Sequence, residues 1–91
     1  MTIKYTQNYL SKIEDLFAES DYILRYEKGN FQSGYCILKE TKVVIVNKYF
    51  PVDGKINALI EILRTINIDT SLLKEKSREL FHELTQTSLK I

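Results

Sequence analysis

Between Gly29 and Lys48 the chain reads Gly-Asn-Phe-Gln-Ser-Gly-Tyr-Cys-Ile-Leu-Lys-Glu-Thr-Lys-Val-Val-Ile-Val-Asn-Lys, two apolar runs around a short polar connector. Branched and aromatic residues at this density make strands of 33–39 and 42–48, and a connector as short as Glu40-Thr41 implies an antiparallel hairpin. Glu-Thr is a poor two-residue hairpin turn, so a longer turn is expected. Neither strand has a polar face. Tyr35 and Ile37 point one way and Cys36 and Leu38 the other, while Val43 to Val46 are apolar throughout. A sheet wetted on one side would alternate apolar with polar residues. Either helices cover both faces, or a second copy of the chain covers one.

The flanking segments supply the helices. From about Asn8 to Ser20, Leu10, Ile13, Leu16 and Phe17 recur at spacings of three and four, which predicts an amphipathic helix. Asp21 interrupts that pattern, Tyr22 to Tyr26 reads as a first strand, and Lys28-Gly29-Asn30 as the turn after it. Pro51 ends the sheet and Asp53 is a candidate cap for a helix running from about Gly54 to Ile66. In that helix Ile56, Leu59, Ile60, Ile62, Leu63 and Ile66 predict deep packing. Asn67 to Ser71 offers caps for a third helix over about Ser71 to Gln86, marked by Leu72, Leu73, Leu80, Phe81 and Leu84. The last five residues are expected to fray. The expected fold is α+β: one domain over residues 1–91, with a helix, a three-stranded antiparallel meander and two helices.

A chain of 91 residues buries only about 60 to 65% of the surface that its unfolded form exposes, so a partner surface would add to its stability. Its 13 basic and 12 acidic residues balance, which leaves no global field to draw in nucleic acid or an anionic membrane. The middle segment is mildly basic, with six cations between residues 22 and 55 against Glu27, Glu40 and Asp53. No run approaches the roughly 18 to 20 apolar residues of a membrane span. The N-terminus, Met-Thr-Ile-Lys-Tyr-Thr-Gln, has no secretory apolar stretch, so the cytoplasm is the expected location.

The residues that could carry chemistry are isolated from one another. Cys36, the lone cysteine, lies inside a predicted strand, where free cysteine ordinarily acts as a small buried hydrophobe. A nucleophilic role would need a base beside it, and the only histidine, His82, is far along the chain. His82 itself reads as a helix-surface position. One cysteine and one histidine without ligand spacing predict no zinc site, and no acidic cluster has the spacing of a calcium loop. Glu75, Glu79 and Glu83, with Lys74, Lys76 and Arg78, read as a solvated helix face. No glycine-rich phosphate loop is present, so no cofactor is expected.

One alternative concerns the sheet. Tyr22, Tyr26, Phe31, Tyr35 and Tyr49 are interleaved with Arg25, Lys28, Lys39, Lys42 and Lys48, and aromatics among cations can hold single-stranded nucleic acid. On this reading Tyr35, Tyr49, Arg25, Lys39 and Lys48 would form the surface. Aromatics in a small chain without tryptophan are more often core, so nucleic acid ranks second as a partner.

The pattern Gly29-x-Phe31-x-Ser33-Gly34-Tyr35-Cys36-x-Leu38, followed by Lys42-Val43-Val44-x-Val46-Asn47-Lys48, resembles a family of small uncharacterised bacterial proteins. The likeness spans about residues 20 to 66, and it implies a bacterial cytoplasmic protein without implying an activity. More remotely, helix, strands, an Ile-Val-Asn ending, a Pro-bearing loop and an apolar helix are similar to the front half of ImmA/IrrE-type zinc peptidases. In that family the helix after the loop carries His-Glu-x-x-His, which holds zinc. Here it reads Asn57-Ala58-Leu59-Ile60-Glu61-Ile62-Leu63-Arg64, without the ligands, so the resemblance implies a domain that has lost the metal and the activity. The leading expectation is a non-enzymatic domain acting through protein-protein contact, as a homodimer or with a protein partner, and without a membrane. Nucleic-acid binding and a degenerate metallopeptidase-like domain are the alternatives.

Overall fold

The computed structural model describes residues 3–28 and 35–86. They form α1 (Gln7–Glu19), β1 (Ile23–Glu27), β2 (Tyr35–Leu38), β3 (Val43–Asn47), α2 (Val52–Thr65), a short 3-10 turn (Thr70–Leu72) and α3 (Glu75–Gln86). The class is α+β, as the periodicities predict.

Helix α1 starts where the Thr6 hydroxyl accepts the Tyr9 backbone N–H at 3.1 Å, satisfying one of the orphan donors of the first turn. It buries Tyr9, Leu10, Ile13, Leu16 and Phe17. Its end is closed by Ser20, whose backbone N–H reaches the carbonyls of Leu16 and Phe17. Helix α2 begins two residues before the predicted start. Pro51 stands at its N-cap, where a missing N–H costs nothing, and Asp53, in the first turn, accepts the free Gly54 N–H at 2.9 Å as expected of it. Helix α3 begins at Glu75, later than predicted, because Asp69 caps a separate 3-10 turn by accepting the Ser71 N–H.

The sheet departs from the predicted meander. Its order is β1-β3-β2, with β1 parallel to β3 and β2 antiparallel to it. Composition accounts for the arrangement: the central position pairs on both edges and suits the most uniformly apolar strand, Val43 to Val46. Strand β1 carries Arg25 and Glu27, charges that an edge strand tolerates. Only the hairpin β2–β3 matches the expected pairing, and its turn is the longer one, covering 39–42, with Lys42 in the left-handed region at φ 57. There Lys42 ion-pairs with Asp21, which holds the Asp21 carboxyl below its ordinary range and raises the Lys42 ammonium. The turn predicted at Lys28-Gly29-Asn30, and the start of the second strand at Ser33, extend outside the described residues.

The core gathers residues of α1, α2, α3 and one face of the sheet. Val44, Val46, Ile13, Leu16, Ile56, Leu59, Ile62 and Leu84 are each fully enclosed. Leu24, Tyr26, Tyr35 and Ile37, which are the register partners of Val44 and Val46, pack against the same cluster. Helices α1 and α2 lie on this face, and α3 packs onto α1 and α2. Arg64 ties the last pair by donating from Nε to the Leu84 carbonyl at 3.0 Å. Among the described residues, no helix lies over the opposite face.

Candidate protein-contact surface

The uncovered face follows from strand alternation. Ile23, Arg25 and Glu27 of β1 stand in register with Val43, Ile45 and Asn47 of β3, and Cys36 and Leu38 of β2 with Ile45 and Val43. Side chains paired across a sheet share a side. Ile23, Val43, Ile45, Cys36 and Leu38 therefore form one outward apolar patch. Ile23 is 57% exposed and Leu38 44%, while Val43, Ile45 and Cys36 are half-buried by their neighbours. Arg25 and Glu27 border the patch as an exposed ion pair at 2.7 Å.

Cys36 is thus not the core hydrophobe expected of it. It stands half-buried on the outward face, because the helices cover only the other side. His82 is exposed on α3, with its ring edge-on to Phe81 at 5.9 Å, and α3 lies behind α1 and α2. The sheet separates the cysteine from the histidine. Among the described residues no three His, Cys, Asp or Glu side chains gather as a metal site. On α2, Ala58, Leu59, Ile60, Ile62 and Leu63 are core residues.

The strand tyrosines lie on the helix side of the sheet. Tyr35 faces the helices and donates to Glu61 Oε1 at 3.1 Å, and Tyr22 is buried. Tyr26 donates to Glu14 Oε2 at 2.6 Å beneath the Lys55 ammonium, 4.9 Å from the ring centroid. Burial, reinforced by Glu14, holds this phenol far above its ordinary range. Tyr49 lies beyond the end of β3, 67% exposed, with the Lys48 ammonium 5.4 Å from its ring. Lys39 is exposed in the hairpin turn and Arg25 is outward on β1. Tyr35, Tyr49, Arg25, Lys39 and Lys48 thus do not share one face. Phe31 lies outside the described residues.

Two recesses flank α1. One, of about 550 Å³, separates α1 from α3 and is lined by Tyr9, Lys12, Glu19, Ser77, Leu80 and Glu83 among others. The Tyr9 hydroxyl is buried beside it without a partner among the described residues. Burial, with the Glu83 charge, raises this phenol. The other recess, of about 460 Å³, runs between α1 and β1 and is lined by Glu14, Phe17, Ala18, Leu24 and Tyr26 among others. The outward patch was legible as two-sided apolarity, but which side stays uncovered was not, since that depends on where α1 and α2 dock.

Comparison with protein-family models, with curated proteins and with solved structures gives no match. Among the described residues no helix is long and apolar enough to cross a membrane.

Proposed function

We propose that this chain is a non-enzymatic domain that works through protein-protein contact, with the sheet as its contact element and a homodimer as the simplest assembly. One observation carries the reading: the outward patch of Ile23, Val43, Ile45, Cys36 and Leu38 has no covering helix among the described residues. Contiguous exposed apolar surface rimmed by polar groups marks interaction sites, and a small domain gains most from burying it. Sedimentation equilibrium over roughly 1 to 300 μM, a range that spans weak to moderate association, tests the self-association. A concentration-dependent monomer-dimer equilibrium is expected, and a monomer throughout overturns it.

A second reading rests on Tyr49 and Lys48, an exposed ring beside a cation of the kind on which single-stranded bases stack. Anisotropy titrations with short RNA and DNA oligomers at low salt test it. No binding at roughly 10 to 100 μM, the range of non-specific contact, ends this reading.

A further inference from the structure

We propose that a second copy of this chain adds to the sheet along the open edge of β1, antiparallel to it, with Tyr26 opposite the partner's Tyr26. The proposal rests on the self-association reading only for the existence of a dimer: it puts the contact between copies at the edge of the sheet, which joins the two apolar patches side by side without covering them.

Among the described residues, strand β1 is paired on one side only. Its Ile23 N–H donates to the Lys42 carbonyl, and its Glu27 carbonyl accepts the Lys48 N–H, so Ile23, Arg25 and Glu27 spend their main-chain groups on β3. The groups of Leu24 and Tyr26, alternate in the strand, point to the other side. Among the described residues no strand lies there to meet them. Such an edge is a template for another strand. This one carries no proline or bulge, and the recess between α1 and β1, lined in part by Leu24 and Tyr26, gives an incoming strand's inward side chains somewhere to go.

Charge chooses both occupant and register. With the outward-pointing main-chain groups of β1 engaged, an antiparallel copy can centre its two-fold axis on Leu24, Arg25 or Tyr26. Centring on Arg25 sets two guanidinium groups opposite each other, which is unfavourable, and centring on Leu24 sets Arg25 against the partner's Ile23. Centring on Tyr26 sets Arg25 opposite the partner's Glu27, and Glu27 opposite the partner's Arg25. Both couples would lie at non-hydrogen-bonded positions, where facing side chains come closest. The exposed Arg25–Glu27 pair within one chain thus becomes two pairs between chains, and a two-fold axis supplies both at once. The other open edge, β2, is Tyr35–Leu38 and carries no charge that could set a register. The dimer would hold one six-stranded sheet with the two outward patches on the same side.

Charge reversal tests this in the intact chain, at exposed or half-buried positions that the core does not use. R25E alone and E27R alone each place like charges opposite one another and are expected to raise the dimer Kd at least tenfold. R25E/E27R restores opposite pairs and is expected to return Kd to within about threefold of the starting value. An equimolar mixture of the two single variants is expected to form a heterodimer that neither forms alone. Circular dichroism melts check that each variant folds. A dimer indifferent to both reversals but lost in L38E, on the far edge of the sheet, overturns edge pairing and leaves the contact reading standing. Single reversals that weaken the dimer without rescue in the double variant or the mixture overturn the register. A wild-type chain that stays monomeric overturns both proposals.

Discussion

Tyr9 and Tyr26 each carry a phenol hydroxyl inward from the surface, and they meet opposite conditions there. Tyr9 is only 9% exposed, and its hydroxyl is buried without a partner among the described residues. A buried polar group in that state costs about 1 to 3 kcal/mol. Tyr9→Phe is therefore expected to stabilise the fold by up to about 1 kcal/mol in urea denaturation, after the change in packing is allowed for. Tyr26→Phe should do the reverse, costing about 1 to 2 kcal/mol, because it removes a 2.6 Å bond to a carboxylate. The raised Tyr26 phenol also fixes a pH dependence. The folded chain holds this proton more tightly than the unfolded chain, so the stabilisation is complete below about pH 10 and is lost as pH rises toward the folded value. Denaturation midpoints taken from about pH 8 to pH 11 should fall, and fall less steeply in Tyr26→Phe. An equal slope in both chains would exclude Tyr26 as the source. Neither contrast is legible in the sequence, where both residues are tyrosines at the edge of an apolar pattern. What separates them is whether a carboxylate from α1 stands within reach.

Helix α3 shows the same dependence one level up. Its periodicity is plain, but its first turn is also held by Glu19 at the end of α1, which accepts the Lys74 N–H at 2.9 Å from far away in the chain. A carboxylate at the C-terminus of α1 is poorly placed for that helix's own dipole, whereas beside the first amides of α3 it is favourable. Glu19→Ala is expected to cost about 1 kcal/mol, the usual loss for a removed cap. The effect should concentrate in faster hydrogen exchange over the first turn of α3, while the exchange of α2 is unchanged. Uniformly faster exchange over the whole chain would mean that Glu19 acts on global stability instead. Local signals served better where the partner is local: Thr6 caps α1 and Asp69 caps the 3-10 turn from within three residues.

Over the whole molecule, sidedness is the decisive property, and the central strand reports it. Val44 is fully enclosed beneath the helices, whereas Ile45, the next residue, points outward and is half-buried. Val44→Ala is expected to cost about 2 kcal/mol in the monomer, and Ile45→Ala less than about 1, despite the larger side chain removed. Comparable losses would mean that something covers both faces. The amino-acid sequence by itself determined the α+β class, the three helices, the three strands and the β2–β3 hairpin. Those follow from apolar periods of two and 3.6 and from turns a few residues long, which neighbouring residues set among themselves. Only the tertiary structure decided that β3 lies between β1 and β2, that β1 runs parallel to it, and that α1 and α2 share one face of the sheet. Strand order and helix docking are set by competition among distant surfaces for the same apolar area, and a strand apolar on both sides carries no mark of which side will win the helices.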